Sequence, residues 1–442
     1  MKKKLFFITL LLVFALISCG GDGDEEIGGK SCSDKGICID FTKMGVTCIT
    51  DNRTMSSSCN NQITKLAVAS DGTIYAVGHF TRGEEKYARA FLKALTPEGK
   101  ELWEKAWSII DGKDTPIDYL GLDSNNNIYI ASVMKGSYYN NVDVIIKYSP
   151  DGDKIFELSN QAPIEFQSND ENPFFIGNGI NTVFKLDKSG NIYSLRLGEY
   201  GLFMTKYSPQ GEKLLENKIL NLEYGETSGR GRKFLDIVDS GNKLYAVILL
   251  KKQTDIRIVK INLDDGEKFF DEEMTGDTTT PVLEEEPNSG YYYDGYNEKE
   301  GILYYHHGID YENADIFRVS ETKGVLDTFN HEFSTVGTYT SLAIKMDLHN
   351  NLFLLERSLF PSNNEVAEWL TKYDSNMNKT GSYEFNLKKM ASHSSIAAVD
   401  NNGNVYLLAL SNYDYEDYVD SGYFNDRPLI NTIVKIPAAE IK

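Results

Sequence analysis

One short phrase recurs seven times along the chain. Its clearest copies are Leu186-Asp187-Lys188-Ser189-Gly190-Asn191-Ile192-Tyr193 and Val399-Asp400-Asn401-Asn402-Gly403-Asn404-Val405-Tyr406. Each is an apolar run, a Gly/Asn turn and an aliphatic-Tyr pair that opens a second apolar run. Asn and Gly accept the positive φ that tight hairpin turns demand, whereas β-branched and aromatic residues suit the flanking strands, so the phrase predicts a β-hairpin. The aromatic recurs at Tyr75, Tyr129, Tyr193, Tyr245, Tyr304, Phe353 and Tyr406. The mean interval of about 55 residues holds four ordinary strands and their turns.

A second phrase follows each hairpin and predicts the third and fourth strands. It reads Phe91-Leu92-Lys93-Ala94 before Thr96-Pro97-Glu98-Gly99, Ile145-Ile146-Lys147-Tyr148 before Ser149-Pro150-Asp151-Gly152, and Met204-Thr205-Lys206-Tyr207 before Ser208-Pro209-Gln210-Gly211. Pro presets φ at the second turn position and Gly takes the left-handed one. Each unit is therefore expected to be a four-stranded antiparallel meander. Ile74-Tyr75-Ala76-Val77 and Val405-Tyr406-Leu407-Leu408-Ala409-Leu410 make both faces of such a sheet apolar, and one sheet cannot bury both. Stacking the units radially gives every sheet two neighbours and leaves only short, protected edges. The expectation is an all-β chain: a seven-bladed β-propeller over residues 61–442.

Seven units of about 55 residues need about 385, the length of the stretch 60–442. The last unit is incomplete, since little follows Thr432-Ile433-Val434-Lys435-Ile436-Pro437. Its missing outer strand is expected from the N-terminal region, either Ile37 to Phe41 or Gly45 to Thr50, as a clasp between the two ends.

The run Ile396-Ala397-Ala398-Val399-Asp400-Asn401-Asn402-Gly403-Asn404-Val405-Tyr406 and the run Val144-Ile145-Ile146-Lys147-Tyr148-Ser149-Pro150-Asp151-Gly152 resemble the bacterial SBBP repeat, a seven-bladed propeller repeat of exported proteins. The resemblance covers most of Ile63 to Ile436 and is loosest in blade five, where the turns are Glu300-Gly301 and Ser320-Glu321-Thr322-Lys323-Gly324. It implies a fold and an exported setting, and it brings no catalytic residues.

The first residues agree with export. Lys2-Lys3-Lys4 precedes an apolar run from Leu5 to Ile17 that is short for a membrane span, so 1–18 reads as a signal peptide. It ends in Leu16-Ile17-Ser18-Cys19, which resembles the lipobox of bacterial lipoproteins and implies lipid attachment at Cys19. Residues 19–30, rich in Gly and acid, read as a flexible tether, and acidic residues behind the lipidated cysteine resemble the surface-export signals of Bacteroidetes-type lipoproteins. Segment 31–60 carries Cys32, Cys38, Cys48 and Cys59. In an oxidising compartment these imply two disulfides with three possible connectivities, Cys32 to Cys38 and Cys48 to Cys59 being preferred. A zinc site is the rival, but paired CxxC knuckles and a nearby His are missing.

The formal charge of −20 disfavours nucleic acid and anionic membrane surfaces as partners. A basic residue recurs in the third strands: Lys93, Lys147, Lys206, Lys260, Arg318, Lys372 and Lys435. These form either an anion-binding girdle or a set of snorkelling side chains on the blade surface, the latter being favoured. Asp123-Ser124-Asn125-Asn126-Asn127 and Asp400-Asn401-Asn402-Gly403-Asn404 echo calcium loops, yet hairpin turns need the same residues. His306 and His307 are adjacent on one expected strand and face opposite ways, so a shared metal is disfavoured. No cofactor or metal is expected. No hydrolase, zinc-protease or phosphate-loop motif occurs.

The two richest expected insertions are 283–296, with Tyr291, Tyr292 and Tyr293, and 412–426, with Tyr413, Asp414, Tyr415 and Tyr418. Tyr offers rigid contact area at low entropic cost, and carboxylates accept bonds from hydroxyls. The function expected from these features is a membrane-anchored, monomeric lipoprotein of the bacterial cell envelope, on the outer membrane. It would bind a glycan or a protein without catalysis. An envelope enzyme of lyase or lactonase type, with its site at the propeller axis, is the alternative.

Overall fold

In a computed structural model the chain is described at residues 36–38, 62–80, 89–108, 117–135, 141–161, 181–198, 201–222, 233–240, 243–252, 255–274, 291–297, 302–309, 313–320, 324–332, 339–347, 349, 351–360, 365–386, 395–411 and 430–442. These residues form seven four-stranded antiparallel sheets. The first strand, β1 (Gly36–Cys38), belongs to the last sheet. Blade one holds β2 (Gln62–Val68), β3 (Ile74–Phe80), β4 (Arg89–Leu95) and β5 (Glu101–Ser108). Blade two holds β6 (Tyr119–Leu122), β7 (Ile128–Lys135), β8 (Asn141–Tyr148) and β9 (Lys154–Gln161), and blade three β10 (Asn181–Leu186), β11 (Ile192–Gly198), β12 (Gly201–Tyr207) and β13 (Lys213–Asn221). Blade four holds β14 (Lys233–Ser240), β15 (Lys243–Lys252), β16 (Asp255–Asn262) and β17 (Lys268–Met274), and blade five β18 (Tyr291–Asn297), β19 (Ile302–Ile309), β20 (Asn313–Ser320) and β21 (Gly324–Glu332). Blade six holds β22 (Tyr339–Met346), β23 (Leu352–Phe360), β24 (Glu365–Tyr373) and β25 (Lys379–Asn386), and blade seven β26 (Ser395–Val399), β27 (Val405–Ser411) and β28 (Ile430–Ile436).

The blades are arranged as a propeller. First strands of successive blades lie side by side: β2 beside β6, β6 beside β10, β10 beside β14, β18 beside β22, β22 beside β26, and β26 back beside β2. Alternation along each second strand sends its side chains into both neighbours. In blade one, Ile74 and Ala76 pack with Tyr406 and Ile433 of blade seven, whereas Tyr75 and Val77 pack with Ile128, Ile130 and Val144 of blade two. Tyr129 and Ile145 continue into blade three, and Tyr193 and Leu195 into blade four. The core is thus a series of apolar layers between sheets, and the layer joining blade seven to blade one closes the ring.

β1 completes that closure. It pairs antiparallel with β28, Gly36 opposite Val434, Ile37 opposite Ile433 and Cys38 opposite Thr432, so the first of the two segments considered for the clasp supplies the outer strand. Beyond β28, a 3-10 turn at Ala438–Glu440 carries the chain to blade six, where the backbones of Ser382 and Lys442 exchange hydrogen bonds of 2.9 and 3.2 Å. Among the described residues no helix is long and apolar enough to cross a membrane.

Most of the described tight turns follow one plan, the turn over 262–267 being one residue longer. In 123–127, 187–191 and 400–404 the fourth residue donates its N–H to the first carbonyl at 2.9 Å, and the first donates to the fifth carbonyl at 3.0 to 3.1 Å. The fourth residue takes positive φ, Gly190 at 80° and Gly403 at 77°, and Asn126 manages it at 60°. Ser149-Pro150-Asp151-Gly152 repeats the plan between third and fourth strands, as its Pro and Gly predict.

Candidate binding face

In a meander, chain reversals alternate between the two ends of the sheet. The turns joining first to second strands and third to fourth strands therefore share one side of the ring, which we call the turn side. Neighbouring turns confirm the alignment: a Cβ added at Gly190 would lie 3.6 Å from Pro209 of the same blade and from Tyr129 Oη of blade two, and Trp103 Nε1 of blade one donates to the Pro150 carbonyl of blade two at 2.9 Å. All other connections leave and return at the opposite, loop side. These are the second-to-third links, such as 81–88 and 412–429, and the blade-to-blade links, such as 162–180 and 275–290.

Polar residues of the repeat are committed to structure on the turn side. Asp187 Oδ1 accepts the backbone N–H groups of Ser189 and Asn191 at 2.9 and 2.8 Å, and Oδ2 accepts Asn191 Nδ2 at 2.7 Å. Asp123, Asp347, Asp374 and Asp400 repeat this arrangement with Asn127, Asn351, Asn378 and Asn404. Burial alone would raise the Asp123 carboxyl. The Asn127 side chain, the amides of Asn127 and Asn125, and the charge of Lys147 outweigh it and hold Asp123 below its usual range. The resemblance to calcium loops is thus the residue pattern of a carboxylate that organises its own turn.

The third-strand cations do not form one ring. Each repeat aromatic has a fixed partner across the second and third strands: Tyr129 faces Lys147, Tyr193 Lys206, Tyr304 Arg318, Phe353 Lys372 and Tyr406 Lys435. Tyr75 faces Ala94, however, and Tyr245 faces Asn262. Lys93 is displaced onto the other face, where it is buried and bonded to Glu101 and Glu104 at 3.0 and 2.6 Å. Lys260 is displaced by two residues and reaches diagonally, with Nζ 4.3 Å from the Tyr245 ring centre. Neither the seven-membered girdle nor simple snorkelling on a wet surface describes these residues.

Lys147 shows what they do. It is 7% exposed, its Nζ lies 4.6 Å from the Tyr129 ring centre, and it donates to the Pro209 carbonyl of blade three at 3.2 Å. Lys206 sits 4.7 Å from the Tyr193 ring and 3.6 Å from Asp264 of blade four, which also accepts from Tyr193 Oη at 3.3 Å. A cation over an aromatic face is worth about 0.5–2 kcal/mol depending on desolvation. These groups latch one blade to the next blade's turn. In blade one, where Ala94 holds the position, the Trp103 indole makes the corresponding link to Pro150.

Toward the loop side one ionic group stands apart. Asp143, near the start of β8, is fully buried and ion-paired with Arg196, near the end of β11. Sequence reading passed over both, because nothing in their spacing relates residues of different blades.

Of the residues proposed for binding, Tyr291, Tyr292 and Tyr293 are not in an insertion. They begin β18, the first strand of blade five, with Tyr291 opposite His307, Tyr292 opposite His306 and Tyr293 opposite Tyr305. Tyr strongly favours extended strands. Counting back from Tyr304 by the interval separating β2 from Tyr75 would have located this strand. Tyr413, Asp414, Tyr415 and Tyr418 lie outside the described residues, as do Cys19, Cys32, Cys48, Cys59 and the side chain of Cys38. Among the described residues no three or more His, Cys, Asp or Glu side chains are grouped to hold a metal ion.

No protein-family model matches the chain, and no curated protein sequence does. Solved structures resemble it at low identity. They include the quinohemoprotein alcohol dehydrogenase of Comamonas testosteroni (10% identity, 86% of this chain and 67% of that one, TM-score 0.39) and the Dos1 propeller (9%, 85% and 93%, 0.43). Prolyl oligopeptidase B of Galerina marginata is a third (12%, 85% and 51%, 0.46), and the chain spans about half the length of that enzyme. Likenesses of this size bear on no residue's role.

Proposed function

We propose that the chain is an exported, SBBP-type binding propeller, anchored by lipid on Cys19 at the bacterial envelope, that takes a glycan or protein ligand on its loop side without catalysis. One observation carries this reading. Among the described residues the turn side is built of tight reversals whose Asp, Asn and Lys groups serve the turns and the joints between blades, whereas the links 162–180, 275–290 and 412–429 begin and end at the loop side. Long excursions on one side of a repeat scaffold commonly form its binding surface. The third of these carries Tyr413, Asp414, Tyr415 and Tyr418, a composition suited to sugar hydroxyls or to basic protein surfaces.

The test is a Tyr413→Ala, Tyr415→Ala, Tyr418→Ala triple variant, compared with the parent for thermal midpoint and for capture of immobilised envelope glycans and solubilised envelope proteins. The expected result is an unchanged midpoint with capture reduced at least tenfold. Unchanged capture rejects this surface. A Cys19→Ala chain run alongside should leave the membrane fraction, and its retention there would reject the lipid anchor.

A further inference from the structure

Thr182 and Arg196 stand directly opposite each other in the pairing of β10 with β11, close to the loop side. Leu195 and Leu197 pack toward blade four, so the alternating Ser194 and Arg196 face blade two. There Arg196 Nη2 is paired with Asp143 Oδ1, and Ser194 Oγ donates to Asp143 Oδ2 at 2.9 Å. Arg196 is 3% exposed and Asp143 0%. The Nη2–Oδ1 contact is ionic, without hydrogen-bond geometry, and Nε and Nη1 of the guanidinium and Thr182 Oγ1 are buried with no hydrogen-bond partner in the protein.

A guanidinium carries five N–H donors in a rigid fork, and the single carboxylate of Asp143 faces only one edge of it. Leaving the other edge and a neighbouring hydroxyl dry would cost a large share of a domain's net stability. An apolar replacement would have been cheaper than a half-satisfied ion pair, so the arrangement makes physical sense when something small and polar completes it. The missing partner must accept from N–H groups and exchange a hydrogen bond with a hydroxyl. Water does both, and buried waters typically make about three such bonds. A halide accepts from the same donors, but it would lie beside the Asp143 carboxylate, which already balances the single positive charge. Glu216 adds a second negative charge close enough to act on Asp143.

We propose that the joint between blades two and three holds an ordered-water site, bound by Arg196 Nε and Nη1 and by Thr182 Oγ1. The water completes a hydrated ion pair that locks the two blades together on the loop side. It sits where the chain enters β8 from 136–140 and β10 from 162–180, so the spacing of those two entry points depends on it.

The experiment is Thr182→Val in the full chain, a change that keeps the side chain's shape and replaces the hydroxyl by a methyl group. If Thr182 Oγ1 holds water, the thermal midpoint falls by about 1–3 °C, the scale of one lost hydrogen bond in a fold this large. If the hydroxyl is dry, Val relieves an unpaired buried group, and a midpoint that rises or stays constant overturns the proposal. A second measurement separates water from an anion: midpoints of the parent chain in chloride and in gluconate at equal ionic strength should agree. A chloride-dependent midpoint in the parent that disappears in Thr182→Val would replace the water by a halide and overturn the assignment.

Discussion

Removing the N-terminal clasp should loosen the whole ring, because β1 is the strand that covers the outer edge of β28. The perturbation is a chain beginning at residue 42. Three residues of β1 face three of β28. In an antiparallel pair, alternate residues exchange two bonds each, so about two to four backbone hydrogen bonds are lost. At about 1 kcal/mol net for each, the loss is about 2–4 kcal/mol. Unfolding entropy of about 2 cal/mol/K per residue amounts to about 0.8 kcal/mol/K for a fold of roughly 400 residues, so the midpoint should drop by about 3–5 °C. The truncation also removes Cys32 and Cys38. A Cys32→Ser, Cys38→Ser chain beginning at residue 20, which like the truncated chain lacks Cys19, therefore serves as the reference, isolating strand pairing from any disulfide and from the anchor. Scanning calorimetry provides the readout. If the truncated chain melts within a degree of that reference, pairing with β28 does not help to hold the ring shut and the reasoning fails.

Two further outcomes follow from individual residues. Met377 takes φ of 63° at the turn position where Gly152 and Gly211 have 83° and 88°; left-handed backbone costs a side-chain-bearing residue about 1–2 kcal/mol, partly offset by the entropy of Gly, so Met377→Gly should raise the midpoint by about 1 °C, and a lower midpoint would contradict the strain. Burial, with Glu157 and Glu356 adding repulsion, pushes Tyr148 and Tyr373 up to about 12. The folded chain then keeps phenol protons that the unfolded chain releases near pH 10, so this stability is complete below pH 10 and is lost as pH rises through 12. Phenolate absorbance should develop together with unfolding, and early ionisation of buried tyrosines in an intact fold would refute this.

Local chemistry explains why so much was legible. Asp187 to Asn191 and Asp400 to Asn404 form their turns from bonds among neighbouring residues, so pattern and structure coincide. The same holds for the apolar alternation of Ile74 to Val77, whose two faces demanded two neighbours. The Lys ring failed because register decides where a residue points: Lys93 stands one residue from the position opposite Tyr75 and takes the other face, whereas Lys260 stands two residues from the position opposite Tyr245 and keeps the face at a different level. Tyr291 to Tyr293 were misplaced for a different reason: a polar, aromatic run carries no apolar alternation to mark it as a strand.

Sequence alone determined the hairpin unit, its sevenfold recurrence and the need for radial stacking, since turn preference and alternation are properties of residues a few positions apart. Only the tertiary structure decided that β1 rather than a later segment closes blade seven, that Lys147 spends its charge on Tyr129 and Pro209, and that Asp143 meets Arg196 across two blades. Those outcomes depend on which surfaces are pressed together and dried. No short stretch of chain encodes the dielectric or the partner that its side chains will find there.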